Sequence, residues 1–270
     1  MRMTTKCAIG TSVFLALSVC TLFAQSPAAR PVFDAFEVAT IKPAIVDEKG
    51  SYIKMQSAHW FFVKNYTLKA LVAAAYDLTA SAISGGPAWV ASDRYDILAG
   101  TPGEVQPNPD EQMSMLRTLL ADRFKLTFRR EPKEFSIYIL TVAKNGPKLK
   151  ESTAPPDKLP ELINVVFPDR ISLPARNATI AQFASMMQRG VLDRPVVDKT
   201  RLPGRYDFDL EWADDEAQFG GRLRKRASSD ESDKPDLFAA IQQQLGLRLE
   251  ATRGPVEALV VDHVERPSEN

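Results

Sequence analysis

Cysteine and histidine are scarce in this sequence, and those present are not arranged for chemistry. The two cysteines, Cys7 and Cys20, lie within the first 24 residues, and the two histidines are His59 and His263. The rest of the chain therefore lacks disulfides, thiol nucleophiles and thiolate metal ligands. Two histidines outside a His-Glu-x-x-His pair do not make the usual zinc-peptidase site. We expect no metal and no other cofactor.

Signatures of the common catalytic classes are also missing. There is no Gly-x-Ser-x-Gly nucleophile elbow, and Gly85-Gly86-Pro87 lacks the Lys-Ser/Thr of a phosphate-binding loop. These absences favour a protein that is not an enzyme. One alternative stays open, because Asp209 and Glu211 share the polar side of a predicted strand and could form the carboxylate pair of a secreted hydrolase. A solvated strand face explains the same two residues.

An excess of charge of either sign is lacking, since 34 basic residues face 34 acidic ones. A near-neutral chain has no broad positive field of the kind that selects nucleic acid or an anionic membrane surface. We therefore expect no nucleic-acid partner.

The first 24 residues have the pattern of a secretory signal peptide. Arg2 and Lys6 precede an uncharged, largely apolar stretch, and small residues follow it. We predict cleavage after Ala24, with Ala28 or Ala29 as alternatives, and a location in the bacterial periplasm or outside the cell. The apolar stretch is short for a membrane anchor, which is the alternative, and no later segment is apolar enough to span a bilayer.

An internal repeat organises the rest of the chain. Lys64-Asn65-Tyr66-Thr67-Leu68 recurs as Arg176-Asn177-Ala178-Thr179-Ile180, and Arg94-Tyr95-Asp96-Ile97 recurs as Arg205-Tyr206-Asp207-Phe208. We predict a first module over residues 25–150, a proline-rich linker over 151–169 and a second module over 170–270. Residues 213–234 are rich in charge and glycine and are predicted to be a mobile insertion in the second module.

The periodicity of apolar residues predicts an α+β fold made of two tandem copies of a β-α-β-β-α-β-β module, with mixed sheets and helices on one face. Helices begin near Thr67, Asn108 and Thr179, each a residue that caps helices well, and the last helix begins near residues 233–236. After each second helix we predict a hairpin of two strands, the second one turning at Arg253-Gly254-Pro255. A leading strand is predicted over 36–42, and a strand over 52–55 is predicted to pair with one over 59–63.

The repeated Arg-Tyr-Asp supplies most of the candidate binding residues. Arg94 and Arg205 could present their guanidinium groups to a carboxylate, with Asp96 and Asp207 beside them. The alternative is structural: tyrosine packs in the core while arginine and aspartate lie on the outward side of the strand. His263, between Asp262 and Val264 on a predicted strand, is a further candidate, and a surface role is its alternative.

Several segments together carry a resemblance to a known family. They are Phe36-Glu37-Val38-Ala39-Thr40-Ile41-Lys42-Pro43, Gly85-Gly86-Pro87-Ala88-Trp89, Leu119-Leu120-Ala121-Asp122-Arg123-Phe124-Lys125-Leu126, Pro195-Val196-Val197-Asp198-Lys199-Thr200, Gly204-Arg205-Tyr206-Asp207 and the C-terminal run from Asp262 to Asn270. They resemble an uncharacterised family of exported proteins that is expanded in soil acidobacteria. Some of its members are fused behind BlaR-type metallopeptidase sensors. The resemblance implies an exported protein and no particular activity.

A looser resemblance concerns topology. Residues 179–264, without the insertion, are similar in element order to the short N-terminal domain of secretins and TonB-dependent receptors, which docks other proteins. We therefore expect a non-catalytic binding or protein-docking module whose partner is an envelope or secreted protein. A role in envelope signalling belongs to this expectation. A structural filler of the envelope is a third hypothesis.

Overall fold

The structure is a computed structural model that describes residues 30–45, 50–155, 158–167, 169–215, 218–221 and 234–267. The predicted signal peptide and most of the predicted insertion lie outside these residues. Strands and helices are mixed along the chain, so the fold is α+β as predicted. From Pro31 onward the chain forms one unit rather than two separable ones.

The strands occupy the following ranges: β1 Val38–Pro43, β2 Tyr52–Met55, β3 Trp60–Thr67, β4 Ile83–Gly85, β5 Arg94–Gly100, β6 Thr127–Val142, β7 Lys150–Glu151, β8 Glu161–Leu162, β9 Val165–Val166, β10 Ile171–Thr179, β11 Val196–Asp198, β12 Arg205–Trp212 and β13 Leu247–His263. The helices are α1 Leu68–Ala75, α2 Trp89–Ser92, α3 Pro109–Phe124, α4 Ile180–Met186 and α5 Leu237–Ala240. Wider π-helical turns, Met187–Val191 and Ile241–Leu245, continue α4 and α5, and short 3-10 turns lie at Ala80–Ala82 and Gln218–Gly221.

The strands of the described residues form three sheets, and two of these have matching strand orders. The first sheet is ordered β1-β5-β3-β2, and the second is ordered β7-β12-β10-β8, with β9 also paired to β10. All of these pairs are antiparallel. The predicted pairing of the strand over 52–55 with the following strand is confirmed, with Ile53 opposite Val63.

The segment interpreted as a linker contributes to the second sheet. Glu151 of β7 pairs with Tyr206, Leu162 of β8 pairs with Ala175, and β9 pairs with the start of β10. These short strands occupy the edges of the second sheet as β1 and β2 do in the first. Edge positions suit proline-rich segments, because a proline there removes no ladder hydrogen bond.

The two predicted hairpins are wrong. Each is one continuous strand, and the two strands, β6 and β13, pair with each other from Thr127 opposite His263 to Val142 opposite Leu247. This long ribbon of β6 and β13 forms the centre of the third sheet, with β11 parallel to β6 and β4 parallel to β13. Gly254 does not turn the chain, because it lies opposite Phe135 and leaves room for the side chain of Ile137.

The ribbon joins two hydrophobic cores. The first core lies under the first sheet with α1 and α3, and it includes Leu259 and Val261 from the far end of β13. The second core lies under the second sheet with α4 and α5, and it includes Tyr138 and Leu140 from the far end of β6. Each ribbon strand thus ends in the core that is otherwise built by the other part of the chain, which explains why the chain is one unit.

The helices begin where their caps predict. Asn108 and Glu111 form a capping box on α3, and Thr179 and Gln182 form another on α4. The apolar residues at positions i, i+3, i+4 and i+7 from Leu68 and from Ile180 predict one buried side for α1 and for α4, and these residues are buried. The apolar residues Leu237, Phe238, Ile241 and Leu245 predict a buried side for the last helix, and this is wrong for Phe238, which is 40% exposed. Within the described ranges, none of the helices has the length and apolar character needed to cross a membrane.

Candidate functional site

The first copy of Arg-Tyr-Asp holds a β-bulge in place. The register of β3 against β5 shifts between Val63 and Tyr66, and Asn65 takes a left-handed backbone conformation with φ 56°. The Asn65 N–H donates to Asp96 Oδ1 at 2.8 Å, and Arg94 Nη1 donates to the Asn65 carbonyl at 2.9 Å. Lys64 Nζ adds an ion pair with Asp96 at 2.9 Å. Arg94 and Asp96 therefore satisfy the backbone groups that the bulge removes from the ladder.

The second copy repeats this arrangement. Asn177 has φ 52°, its N–H donates to Asp207 Oδ1 at 2.8 Å, and its carbonyl accepts from Arg205 Nη1 at 3.0 Å. The Asn177 N–H, assisted by the Ser152 side chain, lowers the pKa of Asp207 below its ordinary value. In both sheets, the arginine and the aspartate of the Arg-Tyr-Asp pattern thus stabilise a β-bulge.

The tyrosines of the two motifs lie in the cores, as the alternation along the strands predicts. Tyr95 is 5% exposed and meets Phe124 edge to face, with ring centroids 5.3 Å apart. Tyr206 is 7% exposed in the second core. The structure brings Arg94 together with Asp96, and Arg205 with Asp207, but the two pairs belong to different sheets.

His263 lies at the end of the ribbon. Its side chain is 57% exposed, and Nε2 lies 2.9 Å from Glu265 Oε1. This hydrogen bond to Glu265 does not connect His263 with the described residues of either motif. Its role as a binding residue stays a prediction.

The carboxylates considered for a hydrolase are held in ion pairs. Asp209 accepts from Arg176 Nη2 at 2.9 Å, while Glu211 pairs with Lys234 at 2.6 Å and with Arg170 at 3.1 Å. The hydrogen bond from Lys234 and then that from Arg170 lower the pKa of Glu211. A general acid at neutral pH needs a raised pKa, and the lowered pKa of Glu211 therefore does not suit that role. The described residues also contain no cluster of three or more potential metal ligands.

The outward side of the first sheet carries an exposed group of large apolar side chains. Val38 is 55% exposed, Trp60 42%, Tyr52 40% and Leu98 39%. Phe62 lies among them, half-buried, with its ring 5.8 Å from that of Tyr52. We call these five residues the apolar face.

The strand register places the apolar face in neighbouring rows. Val38 and Trp60 both lie opposite Gly100, and Leu98 lies between Thr40 and Phe62. The Trp60 ring covers Gly100, where a Cβ would lie 3.6 Å from the indole. The residues between them, such as Phe61 and Ile97, are fully buried on the core side. Since one side of an antiparallel sheet is ordinarily polar when it faces water, an apolar outward side needs another explanation.

The second sheet provides an internal comparison. Following the repeated segments, Trp60 corresponds to Ser172 and Phe62 to Pro174, while Leu98 corresponds to Asp209. Ser172 lies opposite Glu211 and Pro174 opposite Asp209, so in the second sheet each of these rows contains a carboxylate, although Val165 of β9, 38% exposed, also lies opposite Ser172. The fold itself therefore does not require the apolar face.

A groove of about 560 Å³ opens at the other end of β5. Its lining includes the apolar residues Ile41, Pro43, Ile45 and Pro267 and the charged residues Asp93, Arg94 and Arg266. The Arg266 guanidinium lies 4.9 Å from the Trp89 ring, and its Nε and Nη2 donate to Asp93 Oδ2 at 3.0 and 2.9 Å.

Sequence reasoning found part of these two surfaces. The run of three aromatics predicts that Trp60 and Phe62, or Phe61, point outward, and the former is observed. Leu98 was not anticipated, although its place between Ile97 and Ala99 on an alternating strand is a usable signal. Arg266 has no such signal, because its position depends on where the last strand ends.

Comparison with known proteins gives a family and no activity. A family model described as protein of unknown function (DUF3738) matches residues 69–264. Searches of curated proteins and of solved structures returned no match. The family match covers most of the chain and confirms that the sequence belongs to an uncharacterised family. This protein is a member of the DUF3738 family.

Proposed function

We propose that this protein is an exported, non-catalytic module that docks another protein through its apolar face. The observation that carries the proposal is the contrast between Trp60 and Leu98 in the first sheet and Ser172 and Asp209 at the corresponding positions of the second. Burying a large apolar side chain is worth about 1.5–3 kcal/mol, and an exposed one forgoes that gain. A contiguous set of such side chains is typical of a surface that binds a partner.

The charges on the same side of the sheet indicate the chemistry of the partner. Lys42 and Lys54 are exposed on the rows of the apolar face, and Lys54 Nζ lies 4.9 Å from the Tyr52 ring. Asp96, the acid of these rows, is paired with Lys64. A complementary partner presents apolar or aromatic side chains flanked by carboxylates, because opposite charges at the rim favour encounter and fix the register.

The exported location and the duplicated architecture belong to the same proposal. Export rests on the basic, apolar and small residues of the first 24 positions. The matching strand orders and the two bulges support two copies of one module that exchange the ends of β6 and β13. On this account the first copy has specialised in binding.

Site-specific photo-crosslinking tests the docking role. A photoreactive amino acid at Thr40, opposite Leu98 on the apolar face, is introduced into the full chain in its native bacterium. We expect an adduct with one defined envelope or secreted protein. The matched control places the same amino acid at Asp209, the counterpart of Leu98, where no such adduct is expected.

A second variant separates docking from chance proximity. Leu98→Asp copies the residue of the second sheet into the first, and exposed positions of a strand tolerate such a change with little loss of stability. The adduct at Thr40 should disappear in this variant. Adducts of equal yield at Thr40 and Asp209, or an adduct between two copies of this chain, would refute docking of a different protein.

A further inference from the structure

The groove beside Arg94 has the build of a small-molecule site. Its volume of about 560 Å³ lies within the range of roughly 300–1,000 Å³ that ligand pockets occupy. It lies at the Arg94 end of β5, whereas Val38, Trp60 and Leu98 of the apolar face lie toward the Gly100 end. The two surfaces can therefore be perturbed independently.

Among the described residues that line the groove, the charged side chains have a net positive charge. They are Arg94, Arg266 and one acid, Asp93. Asp93 Oδ2 is occupied by two donors from Arg266, and Oδ1 accepts from Ser92 Oγ at 3.0 Å. Asp93 thus compensates the positive charge of Arg266. Among the described residues of the lining, the net positive charge is that of Arg94.

Arg94 has donors to offer. Its side chain is exposed, and Nη1 donates to the Asn65 carbonyl, a neutral acceptor. Within the described part of the chain, no carboxylate forms an ion pair with this guanidinium. A guanidinium has five N–H donors in a fork that matches a carboxylate, so one bond to a carbonyl leaves the fork able to bind one.

We propose that this groove binds a small organic carboxylate with an apolar body. The carboxylate pairs with Arg94, and the apolar body lies against Ile41, Pro43 and Pro267. Tyr95 also lines the groove, and its burial raises the pKa of its hydroxyl. A free acid and the C-terminal carboxylate of a peptide share this chemistry.

Isothermal titration of the protein with two pairs of probes tests the site. The first pair is 3-phenylpropanoate and its neutral amide, and the second is a tetrapeptide ending in phenylalanine with a free or an amidated C-terminus. We expect saturable binding of at least one acid and none of its amide. Tighter binding of 3-phenylpropanoate points to a free acid as the natural ligand, and tighter binding of the peptide points to a chain terminus.

The repeat offers a matched control for the arginine. Arg94→Ala should weaken binding of the acid about tenfold or more, because a charge-assisted hydrogen-bonded pair is lost. Arg205→Ala removes the corresponding bond to the Asn177 carbonyl, 3.0 Å long, and should leave binding unchanged. Urea unfolding of both variants verifies that they are folded. Equal binding of acids and amides, absence of any saturable binding, or equal weakening by the two substitutions would overturn the proposal.

Discussion

Replacing Leu140 by alanine should loosen the second core, although Leu140 precedes the second sheet in sequence. Leu140 and Leu259 are both fully buried near the far ends of the ribbon strands, Leu140 in the second core and Leu259 in the first. A buried leucine that is cut back to alanine loses its transfer free energy and leaves a cavity, at a cost of about 2–5 kcal/mol. Each variant should lose stability by that amount in urea unfolding.

Amide hydrogen exchange locates the damage. Leu140→Ala should speed exchange most in β10 and β12, whose residues Leu173 and Phe208 belong to the second core. Leu259→Ala should do so in β3 and β5, around Val63 and Ile97. The pattern would be reversed if each half of the chain closed its own hairpin, and that result would refute the exchanged ribbon.

Two further predictions concern the backbone and the response to acid. Gly246→Ala should destabilise the protein by more than about 2 kcal/mol, because Gly246 has φ 65° and a Cβ there would lie 2.2 Å from the Gly146 carbonyl oxygen. Gly146→Ala should cost only about 1–2 kcal/mol, because Gly146 has φ 78° but a Cβ there would have no neighbour within 4 Å. Equal losses of stability for the two variants in urea unfolding would contradict the structure. Asp207 has a folded pKa below its unfolded value of about 3.9, so its stabilising contribution is complete above that value and is lost as the pH falls through the folded pKa. The free energy of unfolding of Asp207→Asn should therefore fall less than that of the parent protein between neutral pH and about pH 3. An equal fall in both proteins would show that the hydrogen bond from Asn177 does not lower the pKa of Asp207.

Local sequence signals predicted the helices and many of the strands. Asn108, Thr179 and Asp236 cap helices by hydrogen bonds to amides three residues away, so a short window contains the whole cause. The alternation of Tyr95, Ile97 and Ala99 likewise records which side of β5 is buried.

Local sequence signals could not predict the pairings between distant segments. Arg253-Gly254-Pro255 has good turn chemistry, but its neighbours across the ribbon are Ser136, Phe135 and Glu134, more than 100 residues away. Pro255 lies in a stretch of the ribbon outside the pairings of β4 and β11, where a missing amide is tolerated. The local pattern therefore permitted a hairpin, and the gain from completing both cores favoured one long strand.

The candidate surfaces likewise combine local features that the sequence predicts with contacts between distant segments that it does not. The repeated Arg-Tyr-Asp was recognised in sequence, but its bond to the left-handed asparagine becomes evident only when the bulge is seen. The apolar face requires the register of four strands, and the groove requires the segment that follows β13 to return to β5, as the bond between Arg266 and Asp93 records.

The most direct test of the docking role is an affinity measurement with the purified partner identified by crosslinking. The parent protein is compared with Leu98→Asp on the apolar face and with Val166→Asp at a 52% exposed position of the second sheet. A central apolar contact of an interface costs about 2 kcal/mol or more when lost, so Leu98→Asp should weaken binding by more than about tenfold. Val166→Asp should bind as the parent does. Unchanged affinity of Leu98→Asp, in a variant shown to be folded, would contradict the assignment of the apolar face as the docking surface.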